Sequence, residues 1–188
     1  MPPSSAFVLA SASPRRRELL SRAGLHPQVV PSDVDERVLP GEDAVVYAVR
    51  VATEKARVGP PGAHILAADT VVALGGEILG KPRDAREAVE TLVRLSGREH
   101  EVHTAVAFRR PGAEPSSFVV TTKVRFRTLD PSEIEAYVAT GEPLDKAGAY
   151  GVQGHGGALT ASLHGSYTNV VGLPLEETLR LLDAEGLR

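Results

Sequence analysis

The stretch I-L-A-A-D-T-V-V-A-L-G-G-E-I-L-G-K-P, from Ile65 to Pro82, decides how the rest of the chain is read. Ile65 to Leu74 is a nearly unbroken apolar run that ends at Gly75-Gly76. Such a run, without 3.6-residue spacing, predicts a strand buried on both faces. Asp69 and Thr70 stand in its middle. A carboxylate there loses hydration and must be paired, hydrogen-bonded or bound to a cation. It is either a structural acid held by neighbouring backbone amides or a functional one. The functional reading gains from Lys81, in Gly80-Lys81-Pro82. The Gly75-Gly76 turn can fold Glu77 to Gly80 back along the strand and bring Lys81 near Asp69. An anion and a cation held at one spot suit a phosphate and its metal.

Bulk properties narrow the class. The chain has 188 residues, 42% hydrophobic and 24% charged, as in ordinary soluble globular proteins. That length suits one domain spanning residues 1–188, with a single core or two lobes. A net charge of −3 argues against nucleic-acid binding. There is no cysteine, which excludes disulfides, a zinc–thiolate centre and a cysteine nucleophile. Phe7 to Ala10 is too short for a signal peptide, and no run is long enough to span a membrane. A cytoplasmic protein is the expectation.

On the N-terminal side, Phe7 to Ala10 predicts a short strand and Ser11-Ala12-Ser13 a turn. Ser13-Pro14 opens a helix with Ser as N-cap and Pro at the first position. Leu19, Leu20 and Ala23 face inward, and Gly24 stops it. Arg15, Arg16 and Arg17 fill the first turn, where cations oppose the helix dipole by roughly 0.3–1 kcal/mol each. They are either a solvated basic turn or part of an anion cradle of free N–H groups, a serine hydroxyl and guanidinium forks. Val29 to Asp33 predicts a short extended segment. It leads to Asp33, Asp35 and Glu36, which form a solvated loop or a set of metal ligands. Asp43 caps a helix whose apolar face is Val45, Ala48, Val49, Ala52 and Ala56. Lys55 lies roughly 70° from the middle of that face and can reach around its edge.

On the C-terminal side, Asp84-Ala85-Arg86-Glu87 has capping-box spacing. Ala85, Ala88, Val89, Leu92 and Leu95 line the inner face of that helix, and Gly97 ends it. Glu101 to Phe108 and Phe118 to Arg127 predict two strands, joined by a loop containing Pro111-Gly112 and Pro115. Lys123, Arg125 and Arg127 alternate along the second as a solvated face. Asp130 caps a helix that buries Ile134, Tyr137 and Val138. Leu144 to Gly157 is glycine-rich: a flexible surface loop, or a ligand loop with contacts from Lys146 and Gln153. A last strand, Leu159 to Leu163, precedes a final helix with Leu175, Leu179 and Leu182 inward. Two tempting motifs fail. Gly75 to Lys81 spells G-x-x-x-x-G-K, but Pro82 follows and offers neither a hydroxyl for magnesium nor an N–H for phosphate. His100-Glu101-Val102-His103 has the wrong spacing for a zinc-binding helix.

Seven blocks in order resemble the Maf family: L-A-S-A-S-P-R-R-R-E-L-L, A-T-E-K-A, A-A-D-T-V-V, G-K-P, L-S-G-R-E-H, E-P-L-D-K-A-G-A-Y-G-V-Q-G and V-V-G-L-P-L. They span Leu9 to Leu175. The family comprises nucleoside triphosphate pyrophosphatases, historically also described as septum-formation inhibitors. The resemblance implies an α/β fold similar to inosine triphosphatase: a long curved mixed sheet flanked by helices, with two lobes around a central cleft. Asp69 corresponds to the catalytic proton acceptor. Ser11, Arg15, Glu36, Lys55, Lys81 and Gln153 match substrate-site positions. Arg15, Thr70 and Gln153 resemble the branch that hydrolyses dTTP and UTP to the monophosphate and pyrophosphate. The branch acting on 7-methyl-GTP carries an aromatic, a glutamine and a glutamate there. The resemblance also implies a divalent cation, magnesium or manganese, and a possible homodimer.

The residue chemistry is compatible with those expectations. Arg15, Lys55, Lys81 and Lys146 could hold the charges of a triphosphate. Glu36 and Asp69 are hard oxygen donors suited to magnesium. Asp69 would orient or deprotonate a water for attack on the α-phosphorus. The alternative is a non-catalytic nucleotide-binding regulator of cell division. Loss of Asp69 or Glu36 would favour it, and both acids are present.

Overall fold

The computed structural model describes residues 7–188. The expected buried strand is β3 (Ile65–Leu74), and nine of its ten residues are buried. On one edge it pairs antiparallel with β5 (Glu99–Arg109) from Ile65 to Ala73. The opposite edge is shared. β1 (Val8–Leu9) runs parallel to it at Ile65 and Leu66. β4 (Glu77–Leu79) folds back antiparallel over Val72 to Leu74, as the Gly75-Gly76 turn predicted. Between those partners no strand of the described residues pairs with this edge, and Asp69 and Thr70 lie in the gap. The sheet continues outward with β2 (Gln28–Val29), β6 (Ser116–Phe126) and β7 (Thr160–His164). Among the described residues it has seven strands, in the order β2-β1-β3-β5-β6-β7, with β4 beside β3. This is the mixed sheet expected.

Alternation along β3 divides the core. Ile65, Ala67, Val71 and Ala73 face α2 (Ala44–Arg57) and pack on its Ala44, Ala48, Ala52 and Ala56. Asp69 has the same parity and therefore faces α2. Leu66 and Ala68 point to the other side. They join a core with Leu19 and Leu20 of α1 (Pro14–Arg22) and Leu182 of α6 (Leu175–Ala184). Val72 and Leu74 join a separate core with α3 (Ala85–Leu95), α4 (Pro131–Ala139) and Tyr150. Thr70 sits between these two cores, so the lobes part at the same place as the sheet edge.

Local signals are confirmed at the helix starts. Ser13 caps α1, Asp43 caps α2, and Asp130 closes a full capping box on α4. At α3 the box stays open: Asp84 accepts from the Glu87 N–H, but the Glu87 carboxylate reaches the Arg83 N–H instead, and Ala85, expected in the buried stripe, is exposed in this first turn. The buried stripe of α2 also takes in Val51 and Lys55, while Val45 and Val49 are half-buried. Lys55 thus lies under the helix and not around its edge. A further short helix, α5 (Tyr167–Val171), was not anticipated. The glycine-rich segment is ordered as 3₁₀ turns at Glu142–Asp145, Ala147–Ala149 and His155–Leu159. Gly148 seals it to the sheet. Its φ is +70°, and a Cβ there would come within 2.9 Å of Val72. Among the described residues, no helix is long and apolar enough to cross a membrane.

Candidate active site

The gap beside β3 opens into a cavity of about 780 Å³. Asp69 is 6% exposed at its wall. Its Oδ1 accepts a 2.8 Å hydrogen bond from Lys55 Nζ. The same ammonium stands 2.7 Å from Glu36 Oε1. One lysine from α2 thus bridges an acid from the central strand and an acid from the loop after β2. Burial pushes the Asp69 carboxyl above its ordinary value, although Lys55 and Arg16 oppose the shift. Burial would also raise Glu36, but the hydrogen bond and charge of Lys55, with Lys81 and Arg16 behind it, hold that carboxyl below its ordinary value. Two acids sharing one cation are therefore driven apart. One is poised to take a proton, and the other stays ionised.

The arginine at the centre of the site is Arg16, which nothing in the basic turn Arg15-Arg16-Arg17 itself distinguishes from its neighbours. Its Nε donates to the Gly172 carbonyl at 2.7 Å. Its Nη1 donates to Ser11 Oγ at 3.0 Å, and its Nη2 to Thr70 Oγ1 at 3.1 Å. Thr70 is hydrogen-bonded in turn to Thr104 at 2.9 Å. Burial lowers the Arg16 pKa, with Asp69 opposing. A guanidinium nevertheless keeps its charge in proteins. A signal was available: Arg16, Leu19, Leu20 and Ala23 follow the i, i+3, i+4, i+7 spacing of the buried face. Arg15 also lines the cavity, one-third exposed, with Nη1 3.5 Å from Asp145 Oδ2.

The remaining expected residues converge on the same cavity but differ in how they are engaged. Lys81 is exposed at the end of the β3–β4 hairpin. Ser11 and Thr70 are tied to Arg16. Lys146 donates to the Glu142 carbonyl at 2.8 Å and to Asp145 Oδ1 at 2.6 Å, so it braces its own loop. Gln153 lines the cavity, exposed. Its loop is fastened by Glu142, which accepts from Tyr137 Oη, the His155 N–H and the Gly156 N–H at 2.9, 3.0 and 3.2 Å. Of the three acids after β2, Asp35 is taken up by Arg37 and only Glu36 reaches Lys55.

The described residues hold no group of three or more His, Cys, Asp or Glu side chains able to enclose a metal ion. Glu36 and Asp69 supply two hard oxygen donors on one cavity wall. That suits magnesium, which commonly takes one or two carboxylates and completes its shell with water and substrate phosphates.

A HAM1 protein from Coxiella burnetii superposes with a TM-score of 0.50 at 16% identity, over 95% of this chain and 98% of that one. The α/β fold is therefore shared. Sequence relatives are much nearer. A protein of Anaeromyxobacter dehalogenans (strain 2CP-1), named dTTP/UTP pyrophosphatase, is 58% identical over 96% of this chain and 94% of its own length. Proteins of the same name from Myxococcus xanthus and Yersinia pestis are 55% and 52% identical, over 96% and 95% of this chain and 93% and 92% of theirs. The profile described as Maf-like protein matches residues 6–185, which hold every side chain of the cavity. The chain belongs to the Maf family.

Proposed function

We propose that this chain hydrolyses dTTP and UTP between the α- and β-phosphates, releasing the nucleoside monophosphate and pyrophosphate. The observation that carries the reading is Lys55 bridging Glu36 and Asp69 in a cavity also lined by Arg15, Arg16 and Lys81. The names of the relatives at more than 50% identity support the substrate.

In this reading the cationic side chains hold the triphosphate tail against one wall. Asp69, raised by burial, orients a water and accepts its proton as the oxygen bonds to the α-phosphorus. The bond to the bridging oxygen breaks, and pyrophosphate leaves with the charge facing Arg15 and Lys81. No protein nucleophile is required. Glu36 and Asp69 would hold the divalent cation, magnesium or manganese, which when bound neutralises phosphate charge. Gln153 faces the base: its amide both donates and accepts, matching the O4 and N3–H edge of thymine or uracil. Thr70 and Arg15 complete the specificity set.

The test is a panel of dTTP, UTP, CTP, GTP and 7-methyl-GTP, assayed with magnesium or manganese and with excess EDTA. The expected result is monophosphate plus pyrophosphate from dTTP and UTP, abolished by EDTA and restored by metal. Orthophosphate as the product, preference for 7-methyl-GTP, or full activity in EDTA would overturn the corresponding part.

A further inference from the structure

Glu36 is the one member of the acid–lysine–acid bridge that no regular element holds. Residues 30–43 form neither helix nor strand, and the Glu36 side chain is 44% exposed. Packing alone would leave it many positions, at about 1–2 kcal/mol of backbone entropy per residue fixed. Two residues of α2, neither hydrogen-bonded to the bridging side-chain atoms, take up three consecutive carbonyls of this loop. Tyr47 Oη donates to the Glu36 carbonyl at 2.9 Å. Arg50 Nη2 donates to the Arg37 carbonyl at 2.9 Å, and Nη1 to the Asp35 carbonyl at 3.4 Å.

The clamp is itself locked. Glu42, at the far end of the loop, accepts from Arg50 Nε at 2.6 Å and from Nη2 at 2.9 Å. Its carboxylate also accepts the Leu39 N–H at 2.9 Å. The Arg50 guanidinium lies 5.6 Å from the Tyr47 ring centre, within cation–π range. Burial, followed by the charges of Asp69 and Glu36, pushes the Tyr47 hydroxyl up, so it remains a donor. Tyr47 and Arg50 are three residues apart on one helical face. Lys55 follows on the same rigid element. A single helix therefore sets both the ammonium and the loop that brings a carboxylate to it.

We infer that Tyr47 and Arg50 are positioning residues that fix the Glu36 carboxylate against Lys55 and Asp69, and thereby set the turnover rate. The inference rests on the function proposed above. Arg50 does not line the cavity and Tyr47 does, but the hydroxyl of Tyr47 and the guanidinium of Arg50 are both spent on the backbone of the Glu36 loop, through which each acts. Lysine cannot replace the fork at Arg50, because a point charge reaches one carbonyl where the guanidinium reaches two and Glu42 besides.

The test uses Arg50→Lys and Tyr47→Phe, the second removing one hydroxyl and keeping the ring. Both should fold with unfolding midpoints near that of the wild type. Amide hydrogen exchange should quicken at Arg37 and Leu39 but not along β3. The kcat for dTTP should fall about 10- to 100-fold, as expected for small misplacement of a catalytic group, with KM moving much less. An unchanged kcat overturns the inference. So does a fall in kcat with exchange unaltered at those two amides, or with exchange quickened through β3, which would mark a general structural role. If the wild type leaves every triphosphate in the panel intact, the functional reading falls instead. The exchange measurement then still decides whether the clamp holds the loop.

Discussion

At Asp69 the alternation of a strand decides which chemistry a side chain meets. One residue earlier, Ala68 is packed in the core with α1 and α6; one later, Thr70 binds Arg16 between the lobes. Asp69 alone combines burial, the open edge of the sheet and α2 with its lysine. Asp69→Asn keeps the shape and removes the proposed base. Its kcat should fall at least about 10²-fold, the usual scale for a general base. Equilibrium binding of dTTP should persist, because Arg15, Arg16 and Lys81 remain. Stopped turnover with retained binding supports the role; near-normal kcat would return Asp69 to a structural acid held by Lys55. The sequence made Asp69 legible because a carboxylate in an apolar strand is anomalous on its face. Arg16 was harder to see. Its partner at Gly172 is 156 residues away, and only folding reveals which of three adjacent arginines turns inward.

Among the elements, those governed by local chemistry were readable and those governed by register were not. The caps at Ser13, Asp43 and Asp130, the Gly75-Gly76 hairpin and the two-faced burial of β3 follow from neighbours in sequence. The strandless stretch beside Asp69 does not, because it depends on where β1 stops and β4 begins along a third strand. The glycine-rich segment shows the same limit. Its composition suits a mobile loop, yet Glu142 gathers two backbone amides from it and ties them to the Tyr137 hydroxyl of α4. A carboxylate offers only acceptors, and a glutamine amide would turn a donor toward donors. Glu142→Gln should therefore cost about 1–3 kcal/mol of stability for the orphaned group. It should also loosen the turn that carries Gln153, so that the preference for dTTP over GTP narrows, read as the ratio of kcat/KM values. A variant with both stability and preference intact would show that Glu142 does not set the loop.

Over the whole molecule, acid should act first where the two-lobed core buries a histidine. His100 of β5 is 2% exposed, with Nε2 2.8 Å from Tyr150 Oη and Nδ1 without a hydrogen-bond partner. The ring meets Phe126 and Tyr150 edge-on at 5.0 and 5.4 Å, so no anion is near to stabilise an imidazolium. Burial lowers its pKa from 6.5 to about 4. Between those values the unfolded chain binds a proton that the folded chain refuses, so stability falls as pH falls. Integrated to pH 4.5, that single group costs roughly 2–3 kcal/mol relative to neutral pH. Burial also lowers the His103 pKa, which adds in the same direction. Carboxylates held down by ion pairs, such as Glu42 and Glu133 at about 2, begin to lose their contribution at the lower end of this window and lose most of it below. Asp69, raised by burial, acts in the opposite direction. Tyr150 lines the cavity and belongs to the segment that carries Gln153, so the loss should reach the site as well as the core. Urea unfolding from pH 7 to pH 4.5 measures the effect. His100→Gln keeps a partner for Tyr150 and cannot titrate. Whatever its stability at neutral pH, its dependence on pH should be markedly flatter than that of the wild type. Parallel curves for the two proteins would assign the acid sensitivity to other groups.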